Sequence, residues 1–200
     1  GIIMNSVNKT RKLVGTAMLS AVGAILMYIG IKLPFMPSFI TLDMADLPAL
    51  IGSFAYGPVR GAVICVLKNL LHLLIQGSQT GGVGEISNAL LGIFFVVPAG
   101  LIYSKMKTKK GAFIGALVGA VAMAVMSIFS NYYFVYPVYT NFMPMEAIIA
   151  AYSAINPKVT NLWQALIMFN MPFTFMKGMI SLAISMLIYK PLSPILKGKR

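Results

Sequence analysis

Long apolar segments separated by short polar turns constrain this chain more than any other feature of its sequence. The chain has 200 residues, of which 58% are hydrophobic and 10% are charged, and its mean hydropathy is +0.85. Soluble domains are less apolar than this, whereas a helix that crosses a bilayer needs about 20 mainly apolar residues. We therefore predict an all-α membrane protein with six transmembrane helices.

The apolar segments place the six predicted helices along the chain. They cover about 13–31, 47–59, 61–76, 85–103, 111–134 and 162–189, within one integral membrane domain of residues 1–200. The segment 145–155 predicts a short amphipathic helix over the outer face. In helix 5, Gly and Ala residues recur every four positions, which indicates tight helix packing on two sides.

The basic residues indicate which side of the membrane each helix end faces. The net charge is +12, and twelve Lys and Arg residues fall on the side that holds both termini. Only Lys32 and Lys158 fall on the other side. Because cytoplasmic loops are enriched in Lys and Arg, we predict that both termini are cytoplasmic. Nucleic acid is a poor alternative partner, since no aromatic residues are interleaved with the basic run at 105–110.

Reactive groups are scarce within the predicted helices. Cys65 is the only cysteine and lies in an apolar run, which excludes a disulfide framework and a cysteine metal site. No nucleophile–base pair, paired carboxylates or metal-ligand cluster falls within a span, so we expect neither an enzyme nor a resident cofactor. A channel would need a continuous polar path, which the helices lack. Active transport would need partner subunits, since no ATP-binding motif is present.

The segment 68–92 joins two apolar helices through a glycine-rich polar turn. Asn69, His72 and Gln76 share one face of helix 3. Glu85 opens helix 4, whose free N–H groups suit carbonyls or anions, and Asn88 follows it. The turn is no phosphate-binding P-loop, because the final Gly-Lys-Ser/Thr is absent. Four glycines can take positive φ and admit a ligand close to the backbone: Gly77, Gly81, Gly82 and Gly84. We expect His72 to have a structural role.

A second polar stripe lies on helix 6, where Asn170, Thr174, Lys177 and Ser181 share one face. A lysine inside a bilayer costs several kcal/mol and indicates function. No acid lies within a predicted span, and Glu85 is the one carboxylate near enough to pair with it. We therefore expect Lys177 to contact a ligand or a carbonyl oxygen.

Two other charged positions have simpler interpretations. Asp46, at the start of helix 2, is expected to cap that helix. Lys68 lies deeper toward the cytoplasm, and its role stays open between structure and ligand binding.

The polar groups of helices 3 to 6 lie toward the outer halves of their spans. This arrangement predicts a pocket that opens to the outside under the loops and is no through-pore. Amides, a hydroxyl and one cation suit a neutral, planar, hydrogen-bonding ligand, and aromatic residues at 132–139 are available for stacking.

Helix 1 carries the small-xxx-small pair Ala17 and Ala21, which lets another helix approach closely. The pair fits an internal packing seam or an interface with another chain, and the sequence leaves both open.

Six motifs along the chain are similar to those of one membrane protein family. They are LDMADLPAL at 42–50, YGP at 56–58, KNLLH at 68–72, GSQTGGVGEISN at 77–88, NYY at 131–133 and PFTFMKG at 172–178. In this order they resemble the riboflavin-specific substrate-binding (S) component of energy-coupling factor (ECF) transporters. The resemblance covers nearly the whole chain.

The resemblance implies a six-helix riboflavin-binding subunit of a prokaryotic cell membrane. Riboflavin would lie near the outer face under the loop after helix 1, and another vitamin or flavin mononucleotide (FMN) is the alternative. A transmembrane coupling subunit, met through Ala17 and Ala21, and two ATP-binding subunits would drive uptake. Family members commonly have Asn where Thr174 stands. The implied ligand contacts are Leu42, Asp43, Asn69, Thr80, Gly82, Glu85, Asn88, Asn131, Thr174 and Lys177.

Overall fold

The computed structural model describes residues 8–78 and 81–198, and within these ranges the chain is mainly helical. The helices are α1 Lys9–Leu26, α2 Asp46–Tyr56, α3 Pro58–Gln76, α4 Val83–Lys105, α5 Lys109–Ser130, α6 Tyr136–Tyr139, α7 Met145–Ser153, α8 Leu162–Ala165 and α9 Met171–Lys197. Strands β1 (Ile31–Lys32) and β2 (Thr41–Leu42) form a small antiparallel pair. The π-helical turns Asn131–Val135 and Leu166–Asn170 join α5 to α6 and α8 to α9.

Four helical stretches of the described residues are long and apolar enough to cross a membrane. They are Pro58–Gln76, Val83–Lys105, Lys109–Tyr139 and Leu162–Lys197. The first two predicted helices form as α1 and α2 but do not meet this criterion. Helix α2 has 11 residues, which at 1.5 Å per residue is about half the bilayer core. Helix α1 begins with three basic residues, which lower its hydropathy.

The ends of the first and last predicted helices are wrong. Helix α1 ends at Leu26, because Ile31 instead pairs with Leu42 in the strand pair. Helix α9 continues to Lys197, beyond the predicted end at residue 189. Its last turn packs against α1 and α2, since Arg11 Nη1 donates to the Ile195 carbonyl at 2.6 Å and Tyr56 Oη donates to the Leu196 carbonyl at 2.8 Å. These two side chains satisfy carbonyls that a helix end leaves unpaired.

The two ends of the helical bundle differ in structure, and we name them by what they hold. The terminal end is where α1 begins, α2 and α4 end, and α9 finishes. The loop end holds residues 27–45, residues 77–78 and 81–82 of the glycine-rich turn, and α6 to α8. The predicted amphipathic helix at 145–155 is α7, which buries Ile148 and Tyr152 against Met36. Met36 belongs to residues 27–45, which we call the first loop.

Helix α5 packs tightly on two sides, as the repeating small residues predicted. A Cβ added to Gly119 would overlap the carbonyl oxygen of Phe95 on α4, and one added to Gly115 would lie 2.6 Å from the Ala99 carbonyl oxygen. On its other side, a Cβ on Gly178 of α9 would lie 2.9 Å from the Ala120 methyl group. Small side chains therefore set the helix spacing around α5.

Gly119→Ala should lower the thermal stability of the protein in detergent. The added methyl forces α4 and α5 apart, and overpacking of this kind costs about 1–3 kcal/mol. The matched control is Val118→Leu, which also adds one carbon to α5 but at a side chain that is 44% exposed. Equal melting temperatures for the two variants would contradict the close contact with Phe95.

Candidate functional site

Four charged side chains meet inside the bundle, and we call them the charge cluster. Lys68 Nζ lies 2.6 Å from Asp46 Oδ1, and these side chains are 0% and 3% exposed. Lys177 Nζ lies 3.6 Å from Asp43 Oδ1 and 3.7 Å from Asp46 Oδ2. Two cations and two carboxylates cancel, so the charge cluster is neutral overall.

Small residues on neighbouring helices make room for the charge cluster. A Cβ added to Gly23 of α1 would lie 3.1 Å from Lys68 Cδ, and one on Gly92 of α4 would lie 3.4 Å from Asp46 Oδ1. Asp46 is the first residue of α2, Lys68 lies in the second half of α3, and Lys177 lies in α9. The charge cluster therefore links α2, α3 and α9 beneath α1 and α4.

Two inferences from the sequence about these residues are wrong. A carboxylate does lie near Lys177, because the side chain of Asp46 turns into the bundle. Asp46 does not cap α2: the N-cap is Ala45 and no side chain caps it. A capping bond is worth about 1 kcal/mol, whereas an unpaired buried charge beside Lys68 costs about 3–5 kcal/mol, so the ion pair wins.

Asp43 has a second role in the first loop. Its Oδ1 accepts a hydrogen bond from the Ala45 backbone N–H at 3.0 Å while also facing Lys177. The loop before α2 is therefore fixed to α9 through one carboxylate. Leu42, which precedes Asp43, is half-buried in β2.

The glycine-rich turn is tied to α3 and α4 by a second polar group. The Ser78 hydroxyl donates to Glu85 Oε2 at 2.7 Å and accepts from the Gly82 N–H at 2.8 Å. Glu85 Oε1 lies 3.8 Å from His72 Nδ1, and the His72 ring lies 5.1 Å from the ring of Tyr28. His72 thus packs between an aromatic ring and a carboxylate.

The backbone of this turn agrees with three of the four glycine predictions. Gly77, Gly81 and Gly82 have φ of 76°, 66° and 92°, whereas Gly84 lies in the first turn of α4. Thr80, also a predicted ligand contact, lies outside the described residues. Among residues 8–78 and 81–198, no three His, Cys, Asp or Glu side chains cluster as metal ligands.

Three predicted ligand contacts have unused hydrogen-bonding groups. The side chains of Asn88, Asn131 and Thr174 are half-buried, and the structure shows no hydrogen bond from them to any residue it describes. Ser87 and Ser130 hydrogen-bond to each other, which places the two asparagines that follow them at one level of the α4–α5 interface. Thr174 lies one helical turn before Lys177 in α9.

Asn69, the residue after Lys68, is buried, and only one of its two side-chain polar atoms has a hydrogen-bond partner among the described residues. Its Nδ2 donates to the Cys65 carbonyl at 2.7 Å, while its Oδ1 is buried without a hydrogen-bond partner among the described residues. A buried acceptor of this kind costs free energy unless another group donates to it. The Oδ1 atom of Asn69 is therefore available to accept a hydrogen bond from a ligand or a water molecule.

At the loop end, two tyrosine hydroxyls and one asparagine side chain form a hydrogen-bonded chain that the sequence did not predict. Tyr136 and Tyr152 hydroxyls lie 2.5 Å apart, and the Tyr152 hydroxyl donates to Asn170 Oδ1 at 2.7 Å. Burial raises the pKa of Tyr152, which keeps this hydroxyl protonated as a donor. The Phe39 ring packs edge-on against Tyr152 at 5.8 Å and holds the first loop here. Asn170 is thus used structurally.

The aromatic residues at 132–139 mostly stack on protein groups. Tyr132 stacks on Trp163, with ring centroids 4.5 Å apart, and Tyr136 is 3% exposed. Two of the cavities lined by described residues have volumes of about 410 and 440 Å³. The larger lies beneath residues 35–36 and the smaller at the terminal end, and no predicted ligand contact lines either.

Comparisons with known proteins agree with this architecture. The family model for the substrate-specific component of ECF transporters matches residues 11–189. The chain is 31% identical to the riboflavin transporter FmnP of Bacillus subtilis, over 96% of this chain and 97% of that one. It is 29% identical to the riboflavin transporter RibU of Staphylococcus aureus, over 96% and 95%. A solved structure of the S component of a bacterial ECF transporter superposes with a TM-score of 0.72 at 28% identity, covering 95% of this chain and 99% of that one.

Asp46→Asn should destabilise the ligand-free protein by about 3–5 kcal/mol, because it leaves the ammonium of Lys68 buried without a countercharge. Asp43→Asn, the matched control, removes a carboxylate that is 14% exposed and leaves the Lys68 pair intact, so its effect should be smaller. Thermal unfolding in detergent measures both. The double variant Asp46→Asn/Lys68→Met should recover part of the loss, and a purely additive loss would contradict the pairing.

Proposed function

Because the chain belongs to the family of ECF transporter substrate-specific components, we propose that it captures riboflavin at the cell membrane for uptake. It is a multi-pass membrane protein. The proposal rests on two asparagine amides, on α4 and at the end of α5, and on the Thr174 hydroxyl one turn before Lys177, none of which bonds to a residue that the structure describes. The flavin ring system offers carbonyl and ring-nitrogen acceptors and an N–H donor, which match these groups.

The neutrality of the charge cluster favours riboflavin over its phosphorylated form. Each interior lysine already faces a carboxylate, Lys68 at 2.6 Å and Lys177 at 3.6 Å. A phosphate would add negative charge beside two carboxylates that already balance both lysines, and burying an unbalanced charge is costly. FMN or another anionic vitamin would therefore need a cation from outside the charge cluster.

The distances within the charge cluster indicate different roles for its two lysines. Lys68 makes a close contact with Asp46 and keeps it neutralised. Lys177 lies beyond hydrogen-bond length from both carboxylates, so a ligand oxygen can compete for its ammonium. We propose that bound riboflavin accepts from Lys177 and lies beside Thr174 and Asn131. Asn88, Asn69, Glu85 and the backbone at Gly82 would lie around it.

The first loop is the proposed cover of this site. Asp43 and Leu42 lie at its end, and Phe39 packs on Tyr152. In the proposed topology the loop end faces outward, α1 and α2 serve as the two shorter spans, and both termini are cytoplasmic. Riboflavin is cargo in this scheme, and the chain performs no catalysis.

Inward delivery is proposed to use a transmembrane coupling subunit and two ATP-binding subunits. The surface of α1 supports such a contact, since Ala17 and Ala21 are exposed rather than packed inside the bundle. They lie beside Met18 and Val22, which are 65% and 46% exposed. Small residues on an apolar helix face permit close approach by another membrane helix.

Titration of riboflavin into the purified protein should quench flavin fluorescence with saturation at about one equivalent. Lys177→Met should weaken binding by roughly tenfold to a hundredfold, because a charge-assisted hydrogen bond is worth about 1.5–3 kcal/mol. Lys158→Met, at an exposed lysine of the loop end, is the control and should bind as the wild type does. Absence of saturable quenching by folded wild-type protein would contradict the ligand. Unchanged affinity of Lys177→Met would place the ligand elsewhere.

Ala17→Trp and Ala21→Trp should leave riboflavin affinity intact and abolish uptake by cells that express the whole transporter. The indole keeps the coupling subunit from approaching α1. Cellular uptake of labelled riboflavin, read beside the in vitro titration, separates the two effects. If both variants lose binding, the two alanines instead belong to the internal packing of the bundle.

A further inference from the structure

The smaller of the two cavities described above lies at the terminal end and has no part in the proposed riboflavin site. Its volume is about 410 Å³, and it lies between the end of α2, the turn joining α4 to α5, and the last turns of α9. Its floor is aromatic: the Phe54 ring lies 4.9 Å from the Tyr103 ring and 6.3 Å from the Tyr189 ring. A cavity built on packed rings keeps its shape, as a binding site requires.

Cations surround this cavity without carboxylates to balance them. Lys107, Lys109 and Lys190 line it, and Lys197 Nζ lies 5.7 Å from the centroid of the Tyr189 ring. The whole chain has four side-chain carboxylates, and all lie at the other end of the molecule or in the charge cluster: Asp43, Asp46, Glu85 and Glu146. The cavity is therefore suited to an anion.

The remaining wall of the cavity holds three hydroxyl side chains and an apolar strip that continues onto the exposed helix surface. Ala112, Met186 and Pro194 line it, and Met186 is 39% exposed next to Leu187, which is 77% exposed. The cavity lies where helices long enough to cross a membrane end, which is the level of lipid headgroups. A free anion would contact only the lysines, whereas a phospholipid would also contact the apolar strip, so the lining favours a phospholipid.

We propose that this cavity binds the phosphate headgroup of one anionic phospholipid, with the acyl chains along α9 beside Met186. The lysines donate to the phosphate oxygens, and the aromatic floor contacts the glycerol region. The lipid then bridges the α4–α5 turn to the last turns of α9. Anionic lipid should accordingly stabilise this end of the bundle.

The test compares phosphatidylglycerol, phosphatidylcholine and inorganic phosphate as probes on the detergent-purified full chain. Native mass spectrometry counts retained lipid, and thermal unfolding reports stabilisation. Phosphatidylglycerol should bind with one tight site and raise the melting temperature by several degrees, and phosphatidylcholine should do neither. The triple variant Lys107→Gln/Lys109→Gln/Lys190→Gln should bind phosphatidylglycerol at least about tenfold more weakly.

The matched control is Lys9→Gln/Lys105→Gln/Lys110→Gln, which removes the same charge from the same end outside the cavity. It should bind as the wild type does, and an equal loss in both triple variants would overturn the site in favour of general surface charge. Met186→Trp fills the cavity without changing charge and should weaken lipid binding. Equal stabilisation by inorganic phosphate would overturn the lipid assignment, as would wild-type protein that does not respond to phosphatidylglycerol.

Discussion

The buried ion pair between Asp46 and Lys68 is the interaction on which the rest of the structure depends. Both side chains are almost wholly excluded from solvent at a separation of 2.6 Å, so neither charge is tolerable without the other. The pair fixes the start of α2 against α3. Lys177 joins α9 to the same carboxylate, and Asp43 brings the first loop to it. The packing of the bundle interior and the position of the first loop over it therefore both depend on the pairing of these buried charges.

The distribution of carboxylates makes the two ends of the molecule chemically different. All four carboxylates lie in or near the charge cluster and the loop end, where amides and hydroxyls also collect. The terminal end keeps its lysines unbalanced around a rigid aromatic floor. A neutral interior suits an uncharged, hydrogen-bonding cargo, whereas a cationic end suits the anionic surface of a membrane. One chain thus presents two chemically different binding environments.

The sequence predicts the elements that hydrophobic runs determine and misses those that tertiary contacts determine. Helices α3, α4 and α5 lie within a few residues of their predicted positions, because their apolar runs are long and bounded by glycine or lysine. Helix α9 extends beyond its predicted end, because Arg11 and Tyr56 on other helices satisfy two of its last carbonyls. The partner of Lys177 was also missed, although a signal existed: two lysines in the interior require two carboxylates, and the chain has four.

The most direct test of the riboflavin site is a structure of this protein with riboflavin bound. The predicted result is a flavin ring next to Thr174 and Asn131, with Lys177 Nζ within hydrogen-bond distance of a ring oxygen. Lys177 should then lie farther from Asp43 than the 3.6 Å of the free protein, while the 2.6 Å contact between Asp46 and Lys68 persists. A flavin bound elsewhere, with Lys177 still between its two carboxylates, would contradict the account.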